Sequence, residues 1–195
     1  MGQILLGALA FVVAFAFDWA SWRRKPYKPL LGLMAAVAFI VALGWSLSST
    51  ATLPWPWWVS ALGWPLVGVG GPLLAYSLLI EIPFAPTYAQ PGHGQALVTT
   101  GTYALVRHPG VLWFAIWMLG WVLVSRSHLV AWAGAVWLLL DIGYVWLQER
   151  LLFQRMFPGY AAYQCETPML VPTAGSIRRC WQTLPLRGRR IPSSS

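Results

Sequence analysis

The chain has 195 residues, of which 58% are hydrophobic and 9% charged, with a formal net charge of +8. A soluble domain carries about 25% charged residues to keep its surface hydrated, so this composition excludes an ordinary water-soluble globule and makes lipid the solvent for much of the chain. The positive charge does not point to nucleic acid, because the basic residues stand beside apolar runs and in the tail, where anionic lipid head groups are the expected partner.

A spanning helix needs ~20 predominantly apolar residues to cross a hydrocarbon core about 30 Å thick. The first such run is about Ile4 to Trp22, ending at Arg23-Arg24-Lys25-Pro26-Tyr27-Lys28. It lacks a basic leading region and a small-residue cleavage site, so it reads as a first span rather than a removable signal. The second run is about Pro29 to Leu47. A loop of Ser, Thr, Pro and Trp residues (Ser48 to Trp58) leads to a third, about Val59 to Ile80, where Pro65, Gly68, Gly70, Gly71 and Pro72 predict a kink or break. The fourth is about Pro109 to Val124 and the fifth about Leu129 to Leu147. The fold class expected is therefore all-α, a polytopic membrane protein of about five transmembrane helices. Residues 1–175 form one membrane domain, with N-terminal spans in 1–80 and the polar, ligand-binding part in 81–175. Residues 176–195 form a basic C-terminal tail, expected to lie on anionic lipid or to stay unstructured. The 14 Trp residues suit the interface on either side.

Five spans put Arg23, Arg24, Lys25, Lys28, Arg107, Arg150, Arg155, Arg178, Arg179, Arg187, Arg189 and Arg190 on one side and Arg126 alone on the other. The positive-inside bias then predicts an outside N-terminus and a cytoplasmic C-terminus. Only Ser125 to His128 join the last two spans, so these form an antiparallel hairpin. That hairpin brings Arg107-His108-Pro109 close to Gln148-Glu149-Arg150 at one membrane surface.

Those two clusters have chemistry to offer. Pro109 suits a first helical turn, and free N–H groups there favour an anion. The planar fork of Arg107 matches a carboxylate, and Glu149 suits an ammonium or sulfonium. Together they suggest an amino-acid-like ligand held at both ends, with Gly94 and Gly101 allowing close backbone approach. Cys165 and Cys180 have no CxxC spacing, and no metal site is expected. Plainer roles exist for the same residues: Arg107 as a membrane anchor, Glu149 paired with Arg150 or Arg155, and Tyr160 and Tyr163 as interfacial rings. Asp18, Glu81 and Asp141 lie in or near apolar spans, where a charge usually has a purpose. Trp113, Trp117 and Trp121 share one helix face and read as packing.

The run His93-Gly94-Gln95-Ala96-Leu97-Val98-Thr99-Thr100-Gly101-Thr102-Tyr103, then Arg107-His108-Pro109, then an acidic helix with Glu149 and Phe157-x-x-Tyr160-x-x-Tyr163, resembles the isoprenylcysteine carboxyl methyltransferase and phospholipid methyltransferase superfamily. The resemblance covers about Gln90 to Pro172. It implies an S-adenosylmethionine pocket on the cytoplasmic side, formed by the last helical hairpin and the C-terminal segment. His93, Gln95, Leu97, Val98, Gly101, Tyr103, Arg107, His108, Pro109, Glu149, Tyr160 and Tyr163 would bind the cofactor, with Arg107 and Glu149 as its catalytic pair. The methyl acceptor would be a lipophilic small molecule or lipid-modified substrate, with a carboxylate or thiol favoured and an amine next. Where the family has Tyr two positions after the Pro and Gly two further on, this chain has Val111 and Trp113, and the usual Glu-Glu pair is Gln148-Glu149. The competing expectations are an NADPH-dependent membrane reductase of related architecture and a non-enzymatic lipid-binding membrane protein.

Overall fold

The computed structural model describes residues 1–48, 53–83, 87 and 97–184. His93 and Gln95 of the motif, and Arg187, Arg189 and Arg190 of the tail, lie outside the described residues. Secondary structure among the described residues is helical throughout. Helices α1 (Gly2–Trp22), α2 (Lys28–Leu47), α3 (Trp57–Ala75), α5 (Pro109–Ser125) and α6 (His128–Gln148) form the bundle. The short helices α4 (Thr102–Leu105), α7 (Gln154–Met156), α8 (Tyr160–Glu166) and the ten-residue α9 (Ala174–Thr183) carry the polar part.

Among the described residues, four helical stretches are long and apolar enough to cross a bilayer: Gly2–Trp22, Lys28–Leu47, Trp57–Glu81 and His128–Met156. This is the pattern of a polytopic membrane protein. The fifth expected span is shorter: α5 has 17 residues, a rise of about 26 Å against a core of about 30 Å. The outward faces match a hydrocarbon solvent, with Leu5, Val12, Leu33, Ile40, Leu62 and Leu139 exposed.

The predicted break in the third span does not occur at its prolines. Pro65 and Pro72 both lie inside α3, and the helix instead loosens into a π-helical stretch at Tyr76–Glu81. Helices within a bilayer tolerate proline because neighbouring helices re-satisfy the freed backbone groups. Here α5 supplies that neighbour at very close range. A Cβ on Gly70 would meet the Trp117 backbone nitrogen at 2.7 Å, and one on Gly120 would meet the Val67 nitrogen at 2.7 Å. The tryptophan stripe of α5 lies against this seam, with Trp121 also edge-on to Trp64 at 6.3 Å.

Across the bundle, Phe39 packs edge-on against Phe114 (5.6 Å) and Trp137 (5.1 Å), joining α2, α5 and α6. Trp137 is fully buried, donates its indole N–H to the Ile4 carbonyl at 3.1 Å, and fills the space left by Gly7. The α5–α6 hairpin forms as predicted. Arg126 ends α5 at φ 55° and donates to the Leu53 carbonyl at 3.2 and 3.1 Å, while the Ser127 hydroxyl caps α6 by accepting from Val130 N–H at 3.3 Å.

The expected tail boundary at residue 176 falls inside α9. The reason is local: Thr173 and Ser176 form a reciprocal capping box, with Ser176 N–H to Thr173 Oγ1 at 3.2 Å and Thr173 N–H to Ser176 Oγ at 2.9 Å. The helix then buries Ser176 and Cys180 and docks against α4.

Candidate functional site

The last turns of α6 fix the position of the site. His128–Gln148 is 21 residues, about 31 Å of helix, so Glu149 stands about that far along α6 from the α5–α6 turn. From Glu149 to Phe153 the helix widens to a π turn, and α7, α8 and α9 fold back over the end of the bundle. Arginines stack on tryptophans at this level: Arg23 over Trp19 and Trp22, Arg150 over Trp146, and Arg155 over Trp22.

Glu149 is the centre of a hydrogen-bond cluster. Arg107 grips it with two parallel bonds, Nε to Oε1 at 2.7 Å and Nη2 to Oε2 at 3.0 Å. His108 Nε2 stands 2.9 Å from Oε1, Tyr160 donates its hydroxyl to Oε1 at 3.0 Å, and Gln164 donates its amide to Oε2 at 2.9 Å. A carboxylate holding these donors is ionised in place. Arg107 uses its remaining terminal nitrogen on the Thr167 carbonyl at 2.6 Å and the Gln164 carbonyl at 3.2 Å. Those are the free carbonyls at the end of α8, which a cation satisfies and complements electrostatically. The backbone N–H groups of Arg107 and His108 donate to the carbonyls of Pro168 (2.9 Å) and Met169 (3.2 Å), so the 107–108 segment is stitched to the chain after α8.

Burial pushes the His108 imidazole below its ordinary value, against the opposing pull of Glu149. The ring is therefore neutral near pH 7, and because a carboxylate only accepts, Nε2 carries the proton. Phe153 stacks on the ring at 5.9 Å. Burial, and then the charge of Glu149, hold the Tyr160 phenol well above its usual range, so it stays a donor. Burial does the same for Tyr163.

The arrangement differs from the one expected. Arg107 and Glu149 meet each other rather than standing at the two ends of an open hollow. In a site with side chains 11% and 9% exposed, a guanidinium and a carboxylate brought together by a tight hairpin are each other's nearest compensation for lost hydration. They tie the start of α5, the π turn and α8 into one piece. Neither Arg150 nor Arg155 is the partner of Glu149; both lie over tryptophans instead.

The other motif residues fall into a second layer. Gly101 adopts φ 65°, and a Cβ there would meet a Glu81 carboxylate oxygen at 1.8 Å. The close approach expected of this glycine is therefore to Glu81, which also accepts from the Thr102 N–H at 2.9 Å and from its hydroxyl, capping α4. Tyr103 donates to the Ser77 carbonyl at 3.3 Å, and Tyr163 donates to the Tyr103 carbonyl. Pro109 is buried at the first turn of α5. Val98 is half-buried beside Leu97.

Behind the wall formed by Tyr163 and Thr167 lies a hollow of about 250 Å³, lined by Leu97, Thr99, Ala104, Gly159, Ala162, Tyr163, Glu166, Thr167, Arg179 and Thr183. Leu97 and Tyr163 were expected here from sequence, whereas Glu166, Arg179 and Thr183 carried no sequence signal beyond their charge or polarity. Thr183 reaches the motif loop by accepting from Gly101 N–H at 2.9 Å. A separate open groove of about 450 Å³, lined by Leu6, Leu33, Met34, Val37, Ala38 and Val41, is almost wholly apolar and suits a hydrocarbon chain.

Deeper in the bundle, buried Asp18 accepts from Tyr144 and from the Gln148 amide (2.6 Å), so Gln148 ties α6 to α1 while the next residue serves the site. No family model, curated protein or solved structure matches the chain.

Proposed function

We propose that the protein is an integral membrane methyltransferase that moves a methyl group from S-adenosylmethionine to a lipophilic or membrane-associated acceptor. The observation that carries this reading is the convergence of two motif stretches, 97–109 and 149–163, on one Arg107–His108–Glu149–Tyr160 cluster with a hollow alongside. A zwitterionic ligand fits the hollow because its lining mixes apolar residues with Glu166 and Arg179. The volume suits an amino-acid-sized group more than a whole nucleoside, so this part of the site would take one end of the cofactor.

When bound, S-adenosylmethionine would supply an electrophilic methyl for in-line transfer, with its sulfonium departing as a neutral thioether. An anionic carboxylate or thiolate needs no proton removed. The chain's own task is to orient and to exclude water, which can supply most of such a barrier reduction. In this reading Arg107 and Glu149 are positioning residues that hold the walls of the site, while neutral His108 and Tyr160 complete the cluster. The acceptor would arrive from the bilayer, and the apolar groove between α1 and α2 is suited to its chain. The same reading takes the Arg-rich end of the bundle as cytoplasmic.

The test is a titration of purified protein with S-adenosylmethionine and, separately, with NADPH, followed by transfer of labelled methyl into a membrane lipid extract. Saturable S-adenosylmethionine binding with label in an organic-soluble product supports the proposal. Saturation by NADPH alone would replace it with a reductase, and binding of neither would leave a lipid-binding protein.

A further inference from the structure

Two charged side chains on the hollow have their charge uncommitted within the described residues. Arg179 lines it from α9, with one Nη donating to the Glu166 backbone carbonyl. A guanidinium lining a hollow offers an anion two parallel donors in fork geometry. Glu166, the last residue of α8, lines the same hollow, and its carboxylate has no hydrogen-bond or ion-pair partner among the described residues. Arg107, by contrast, is fully engaged by Glu149 and by two carbonyls.

We infer that Arg179 binds the carboxylate, and Glu166 the cationic end, of an amino-acid-like zwitterion seated in the hollow between α8 and α9. This rests on the methyl-donor reading and assigns its amino-acid end to residues outside the motif. Tyr163 and Leu97 line the same hollow, and Thr183, anchored on Gly101, holds α9 and thus Arg179 in register. The C-terminal helix becomes part of the binding site.

The experiment compares S-adenosylmethionine with its decarboxylated analogue, which keeps the amine and the sulfonium and lacks only the carboxylate. Dissociation constants are measured for the full-length wild type, Arg179→Gln, Arg178→Gln and Glu166→Gln in detergent, with melting temperature as a folding control. Wild type should prefer the carboxylate-bearing ligand at least ten-fold. Arg179→Gln should abolish that preference by weakening S-adenosylmethionine alone, Arg178→Gln should leave it intact, and Glu166→Gln should weaken both ligands together. If wild type binds and Arg179→Gln affects both ligands equally or neither, the Arg179 assignment is wrong while the methyl-donor reading stands. If wild type binds neither ligand, both fall.

Discussion

Glu149 is where the chemistry of single residues is most constrained. Its carboxylate compensates a guanidinium that is nearly out of water, so Glu149→Gln leaves Arg107 with a neutral partner. The expected loss is about 3–5 kcal/mol, read as a lower melting temperature in detergent. Replacing both, as in Arg107→Met with Glu149→Leu, should lose clearly less than the sum of the single changes, because no charge is then stranded. A double-mutant cycle that adds would mean the pair is not energetically linked. His108 supplies a pH dependence. Its folded value is depressed by burial, so below the ordinary imidazole value the unfolded chain binds a proton that the folded chain does not. Stability is thus full above that value and is lost as pH falls through it. Melting at pH 5.5 should come earlier than at pH 7.5, and His108→Gln should flatten the difference.

At the scale of elements, the α3–α5 seam depends on glycine. A Cβ at Gly63 would meet the Gly120 carbonyl oxygen at 2.7 Å, and one at Gly120 would meet backbone from the other side. Small residues let helix backbones approach where lipid offers no hydrophobic drive for association. Gly120→Val should therefore destabilise the fold by about 1–3 kcal/mol. Gly44→Ala on α2, where a Cβ meets nothing within 4 Å, should gain about 0.5–1 kcal/mol from helix propensity alone. Thermal unfolding of both variants separates the two effects. The α5–α6 hairpin matters as much, since its short turn sets Arg107 beside Glu149.

At the scale of the whole molecule, the proposed orientation is open to a direct check with a native reporter. Cys165 is exposed and Cys180 buried. A membrane-impermeant maleimide should modify Cys165 in inside-out vesicles and leave it untouched in intact cells, with Cys165→Ser as the blank. Labelling from outside would reverse the topology and take the proposed cytoplasmic site with it.

Composition and hydropathy alone determined that the chain is helical, that lipid is its solvent, and where most helices begin and end. These follow from local properties: apolar run length, the proline of α5, and the short turn at Arg126 and Ser127. The motif also named Arg107, His108 and Tyr160, which gather around Glu149, though not Gln164. Only tertiary structure decided what they do to one another. Whether Arg107 grips a ligand or grips Glu149 depends on how closely two helices approach, which no linear pattern encodes. The same holds for Gly101, whose close neighbour is Glu81, and for Arg179, which reads as one charge among several in a basic tail until a capping box at Thr173 turns that segment into a helix and swings it over the hollow.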